Sequence, residues 1–139
     1  MTPEELALIH AECFPAHPRA WSGHEFAELL ASTGSFILPR AQGFLLGRVI
    51  ADEAELLTLA VLPLSRRAGT GQSLVGEFLT RAAEMGANTA FLEVASDNLP
   101  AQRLYARTGW QQAGLRRNYY AAAIDALVLR HDLGHRQDS

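Results

Sequence analysis

The stretch from Glu53 to Gly86 constrains the fold of this chain more than any other. It reads as a strand, a glycine-bearing loop and a helix in direct succession. Leu56 to Val61 is a short, nearly continuous apolar run, and Pro63 closes it because proline has no amide proton to give to a ladder. From Thr70 the apolar residues fall at Leu74, Val75, Phe78, Leu79, Ala82 and Ala83, the one-sided stripe of an amphipathic helix, and Gly86 is a natural stop. Between them lies Arg66-Arg67-Ala68-Gly69-Thr70-Gly71, where glycines permit a sharp turn and close approach. The helix that follows opens with unpaired N–H groups and the positive end of a dipole, a corner suited to phosphate. The spacing alone equally allows a surface turn with two solvated arginines. Two nucleotide motifs are excluded: Leu74 stands where the dinucleotide fingerprint needs its third glycine, and no lysine follows the loop as a P-loop requires.

One hundred and thirty-nine residues, nearly half hydrophobic and about a fifth charged, suit one globular domain, residues 1–139. A net charge of −3 argues against a generic nucleic-acid binder. The single cysteine, Cys13, excludes an intrachain disulfide and suits a reducing compartment, where its simplest role is a small buried hydrophobe. There is no apolar run of membrane-spanning length, and the N-terminus is acidic rather than signal-like, so the expected setting is cytoplasmic, with no membrane partner.

Thr2-Pro3-Glu4-Glu5 reads as a capping box with proline at the first helical position, and Leu6, Ile9 and Cys13 follow on one face. Phe14 to Ala20, with two prolines, is expected to be loop. Ser22-Gly23-His24-Glu25 is a second capping box; its helix turns Phe26, Leu29 and Leu30 inward and is expected to end at Gly34. Strands are expected at Ser35–Leu38, Phe44–Ile50 and Glu55–Val61, with Ala51–Glu53 as a turn. After the helix from Thr70 come a strand at Thr89–Ala95, a short helix at Leu99–Thr108 closed by Gly109, and two strands at Trp110–Leu115 and Ala126–Leu133. Gly134 to Ser139 is a polar tail. This order predicts an α/β domain: a mixed sheet with helices on both faces, in which strands 55–61 and 89–95 are parallel neighbours.

Glu93 interrupts Phe91-Leu92-Glu93-Val94-Ala95, a strand expected to be covered on both faces. A carboxylate there is costly unless paired, wet or catalytic, and burial would make it a better proton acceptor. It also reads as a glutamate turned to solvent or ion-paired. Tyr105 lies on the apolar face of the helix 99–108; its ring suits core packing, and its phenol suits proton donation to a leaving group. Asn98 can cap that helix or bond a ligand's amides. The histidines at 10, 17, 24, 131 and 135 show no metal-ligand spacing and read as surface or satisfied residues, so no metal is expected.

Arg66-x-x-Gly69-x-Gly71 between a strand and a helix resembles the acetyl-coenzyme A signature of the GNAT N-acetyltransferase superfamily. Leu92-Glu93-Val94-x-x-x-Asn98-x-x-Ala101-x-x-Leu104-Tyr105-x-x-x-Gly109-Trp110 resembles its second signature. Arg116-Arg117-Asn118-Tyr119-Tyr120, followed by Asp125-Ala126, is similar to the RimI-type subgroup, which acetylates the N-terminal alanine of a small-subunit ribosomal protein; Phe14-Pro15 to Trp21-Ser22 looks like that subgroup's first helical hairpin.

The resemblance implies a GNAT fold, with a twisted, mostly antiparallel sheet around a central parallel pair. It implies acetyl-coenzyme A as co-substrate and a protein N-terminus, of ribosomal origin, as acceptor. Glu93 would be the general base and Tyr105 the general acid. Leu59, Ala60 and Val61 would hold the thioester and pantetheine through backbone amides, with Asn98 on the pantetheine arm. Arg66, Arg67, Ala68, Gly69, Thr70, Gly71, Gln72 and Ser73 would wrap the pyrophosphate. Trp21, Tyr119 and Tyr120 would line the acceptor groove. The chain departs from the pattern in three places: no strand precedes the first helix, Ala121-Ala122-Ala123 is shorter than the usual loop, and Gln72 stands where a basic residue is common. Two rival readings keep the fold: acetylation of a small amine or lysine side chain, and a non-catalytic acetyl-coenzyme A-binding module.

Overall fold

The computed structural model describes residues 1–16, 19–63, 66 and 69–133. The tail expected at 134–139, His17, His135, Arg67 and Ala68 lie outside the described residues. Four helices and six strands follow in the order α1 (Pro3–Cys13), α2 (Gly23–Ala31), β1 (Ser35–Arg40), β2 (Gly43–Ile50), β3 (Glu53–Val61), α3 (Thr70–Glu84), β4 (Thr89–Ala95), α4 (Leu99–Arg107), β5 (Gln111–Ala121) and β6 (Ile124–Asp132). The strands form one sheet in the order β1-β2-β3-β4-β6-β5, and every pairing but β3–β4 is antiparallel. The expected mixed sheet with its central parallel pair is therefore present.

Both capping boxes form. Thr2 and Glu5, and Ser22 and Glu25, exchange side-chain and backbone hydrogen bonds at the two helix starts. Two apolar clusters flank the sheet. Phe78, Leu74 and Val75 of α3 pack with Tyr105 of α4 and Trp110 against Leu45, Leu56, Leu92 and Leu129. On the opposite face, Leu6 of α1 and Phe26 of α2 pack on Phe44, Leu46 and Ala60. No residue of β4 belongs to that second cluster, so α1 and α2 cover β1 to β3 and leave the matching face of β4 open.

The helix end expected at Gly34 is corrected. α2 stops at Ala31, where the Ser32 hydroxyl and amide both donate to the Leu29 carbonyl. Gly34 instead serves the turn into β1: its φ is +82°, and a Cβ there would run into the Val49 carbonyl oxygen. The last two strands also differ from expectation. β5 continues to Ala121 rather than ending at Leu115, and β6 begins at Ile124.

His10 is fully buried on α1, stacked on Trp21 at 4.9 Å and tilted against Phe14 at 4.6 Å. Its Nδ1 accepts the Trp21 amide proton at 3.2 Å, so Nε2 carries the ring proton, and Nε2 has no partner among the described residues. It was expected to be surface or satisfied and is neither. Burial, opposed by Glu25 and reinforced by Arg19, pulls its pKa down from 6.5 to about 4. The unfolded chain therefore binds more protons than the folded one between pH 6.5 and 4. This contribution to stability is full above pH 6.5 and is lost as pH falls towards 4, by at most about 3 kcal/mol. His10→Asn, which keeps an acceptor near Nδ1 and cannot titrate, is expected to flatten this part of the profile. Thermal midpoints of both proteins across pH 4–7 check it; parallel curves would remove His10 as the cause.

Candidate active site

The parallel pairing of β3 and β4 covers only Glu53–Glu55 against Thr89–Phe91. Beyond it the strands part. β4 stays paired with β6 along its whole length, whereas β3 follows β2 through a bulge in which Gly47 faces Leu56 and Leu46 faces Thr58, with Leu57 the extra residue. A bulge bends its strand, and here the bend opens a fork in the middle of the sheet. The fork is the floor of a cleft of about 960 Å³. Beyond Glu55 the edge of β3 towards β4 has no strand partner, so its backbone groups, apart from the Val61 carbonyl, are available to a bound molecule.

Seven of the residues singled out in the sequence line this cleft: Glu93, Tyr105, Leu59, Asn98, Trp21, Tyr119 and Tyr120. Glu93 is not enclosed as expected. The open face of β4 leaves its side chain 30 % exposed, and its Oε2 meets Arg116 Nε at 2.7 Å. Tyr105 is buried, edge-on to Trp110 at 5.9 Å. That pair is set by the end of α4: Gly109, at φ +97°, lets its own amide reach Ala106 O and the Trp110 amide reach Tyr105 O at 3.0 Å. Burial, with Tyr120 nearby, pushes the Tyr105 phenol well above its ordinary pKa, so it stays protonated at any working pH. Asn98 does cap α4, its Oδ1 accepting the Ala101 amide at 3.2 Å, which leaves the amide Nδ2 as its donor towards the cleft.

Tyr120 is half-buried, and burial, then Glu93 and Tyr119, push its phenol up to about 12. Tyr119 lies edge-on to it at 5.2 Å and carries the Arg116 guanidinium 5.1 Å from its ring centre. Trp21 forms part of the wall from the α1–α2 side, held by the stack on His10.

The expected phosphate corner is built differently from the cleft. Ala60 and Val61 are buried and do not line it. Arg66 turns back, its Nε donating to the Val61 carbonyl at 2.8 Å, and Cys13 Sγ reaches the same oxygen at 3.3 Å. Burial raises the Cys13 thiol, so Cys13 is a partly buried thiol rather than a nucleophile. Gly69 caps α3 at φ +82° without a side-chain bond, and the first turn contains no acidic residue. The amides of Thr70, Gly71 and Gln72 thus lack intrahelical partners. Space above Gly69 is open, whereas Gly71 abuts Leu104 of α4, one residue from Tyr105. The Ser73 hydroxyl accepts from Arg40, which also pairs with Glu77. The donor set is one that fits a diphosphate.

Among the cleft residues given no role from the sequence are Phe14, Arg19 and Arg116. Phe14 and Arg19 lie in the segment read as plain loop. Arg116 stood in the quoted motif, but a contact two strands away from Glu93 has no signature in spacing. Among the described residues no group of histidine, cysteine or acidic side chains could hold a metal ion, and no helix is long and apolar enough to cross a membrane.

A model of the acetyltransferase (GNAT) family matches residues 4–110. The chain belongs to that family. Among curated relatives of this GNAT chain, ribosomal protein bS18-alanine N-acetyltransferase of Escherichia coli (strain K12) is 33 % identical over 124 residues, which are 82 % of each chain. The protein of that name from Haemophilus influenzae (strain ATCC 51907 / DSM 11121 / KW20 / Rd) is 36 % identical over 78 residues, 56 % of this chain; the match spans 53 %, about half, of that relative. The crystal structure of ribosomal-protein-S18-alanine N-acetyltransferase from Escherichia coli superposes with a TM-score of 0.82 at 27 % identity, covering 96 % of this chain and 88 % of that one.

Proposed function

We propose that the protein is an acetyl-coenzyme A-dependent N-acetyltransferase that moves the acetyl group directly onto the N-terminal α-amine of a protein, a small-subunit ribosomal protein. The observation that carries this reading is the placement of Glu93: a carboxylate on the open face of the β3–β4 fork, flanked by Trp21, Tyr119 and Tyr120. The relatives named for acting on ribosomal protein bS18 supply the acceptor class.

Acetyl-coenzyme A supplies the acetyl group already activated as a thioester. The amides opening α3, with Arg66 and Ser73 beside them, hold its diphosphate. The edge of β3 at Leu59, Ala60 and Val61 offers backbone hydrogen bonds to the pantetheine and the thioester carbonyl, the Val61 carbonyl excepted because Arg66 and Cys13 donate to it, and Asn98 offers its amide. Trp21, Tyr119 and Tyr120 position the acceptor peptide. Glu93 takes the proton from the attacking amine, directly or through one water, and Tyr105 donates its phenolic proton to the departing sulfur. Both proton transfers occur between placed groups, and no residue of the chain becomes covalently modified.

Free-thiol release tests the proposal. With acetyl-coenzyme A, a peptide beginning with alanine should give saturable release, while small amines and an N-blocked lysine peptide give little. Faster release with a small amine would reassign the acceptor. Thermal protection by acetyl-coenzyme A without release on any acceptor would leave a binding module.

A further inference from the structure

The Arg116 side chain sits across two strands from the residue it holds. Glu93 on β4 pairs in register with Val128 of β6, and Arg116 on β5 pairs with Ala126 of the same strand. Its guanidinium spans that gap to Glu93 Oε2 at 2.7 Å while lying over the Tyr119 ring. The backbone is shaped for this reach. The ladder between β5 and β6 is interrupted from Arg116 to Ala121, and Asn118 within the interruption has φ +52°. Three hydrogen bonds brace it: the Asn118 amide donates to Asp125 Oδ1, the Ala123 amide to Asn118 Oδ1, and the Asp125 amide to Ser96 Oγ, at 2.8 to 2.9 Å.

We propose that Arg116 is the positioning residue for the reaction's base: it fixes one oxygen of the Glu93 carboxylate, leaves the other for the acceptor amine, and supplies a positive charge that favours the neutral form of that amine. This rests on the assignment of Glu93 as base. The open face of β4 gives that carboxylate no apolar wall to restrict its rotamers, so the guanidinium in ion-pair contact with Oε2 is what orients it. The charge also acts on the acceptor. A guanidinium within a few ångström favours a neutral amine over an ammonium.

Other charged or titratable groups around the cleft leave this charge in place. Glu55 of β3 is paired with Arg48, Arg19 with Glu25, and Arg130 of β6 with Asp132. Glu53 of β3 is exposed, Asp125 of β6 is held by Asn118, and Tyr119, Tyr120 and Tyr105 are phenols.

The test is kcat against pH at saturating acetyl-coenzyme A and alanine-initiated peptide, for the wild type, Arg116→Gln, Arg116→Lys and Glu93→Gln. Arg116→Gln should move the acid limb up by about one pH unit, so that activity lost near neutrality returns at higher pH. Arg116→Lys, which keeps the charge but not the planar guanidinium, should lower kcat with its limb in the wild-type position. A limb unmoved in Arg116→Gln, or moved as far in Arg116→Lys, overturns the proposal. Wild-type turnover in Glu93→Gln would instead remove the base assignment itself, a separately visible failure. Unchanged acetyl-coenzyme A affinity and melting temperature in Arg116→Gln show that the variant is folded.

Discussion

Glu93→Gln is expected to lower kcat by about 10²–10⁴, the usual worth of proton transfer to a placed group, with acetyl-coenzyme A affinity retained. The amide keeps an oxygen for Arg116 Nε and nearly the same volume, so the geometry of the fork survives. What it cannot do is accept a proton. The stability cost is small: the Glu93–Arg116 pair is partly exposed on both sides, and such pairs contribute about 0–1 kcal/mol. Steady-state kinetics at neutral pH, together with a coenzyme titration, separate the two effects. Turnover equal to wild type would remove Glu93 from the mechanism. A joint loss of coenzyme binding would show that it organises the cleft rather than moving a proton.

Tyr105→Phe is expected to slow turnover by about 10² or more, again without loss of coenzyme affinity. The phenyl ring keeps the edge-on contact with Trp110 and the packing against α3, so only the hydroxyl is lost. Burial keeps that hydroxyl protonated, which suits a group whose task is to give its proton to sulfur once charge develops there. The two kinetic signatures differ. Removing a group that is protonated across the whole working range leaves the shape of the pH profile as it was and lowers its height. Global unfolding of the variant, or a midpoint several degrees lower with normal residual turnover, would assign Tyr105 to the core alone.

The parts of this fold that were legible in the sequence are those fixed by neighbours in the chain. Thr2–Glu5 and Ser22–Glu25 announced two helix starts because a capping box is complete within four residues. The strand from Glu53 and the helix ending at Glu84 were legible because the apolar period changes from a strand run to a helical stripe across two glycines. The continuation of β5 past Leu115 was not, since Arg116 to Tyr120 carries almost no buried face and its ladder is broken at Asn118. A strand without an inner face has no alternation to read.

The candidate site divides along the same line. The positions of Glu93, Tyr105, Asn98 and the paired tyrosines follow from motifs. Their environment depends on how far α1 and α2 reach over the sheet. Phe91 to Ala95 looks apolar enough for cover on both faces, yet the second cluster ends at β3 and leaves Glu93 to solvent and Arg116. His10 failed for a related reason: on α1 it reads as a polar residue, and only the fold of the α1–α2 segment brings Phe14, Trp21 and Phe26 around it.

A crystal structure with a conjugate joining coenzyme A through an acetyl bridge to the N-terminal nitrogen of an alanine-initiated peptide tests the central claim most directly. The account places that nitrogen within hydrogen-bond reach of Glu93, about 3 Å or one intervening water, with the diphosphate on the amides of Thr70 to Gln72 and the peptide along Tyr119 and Tyr120. A conjugate seated with its nitrogen away from the β3–β4 fork, or with its diphosphate elsewhere than the start of α3, would contradict it.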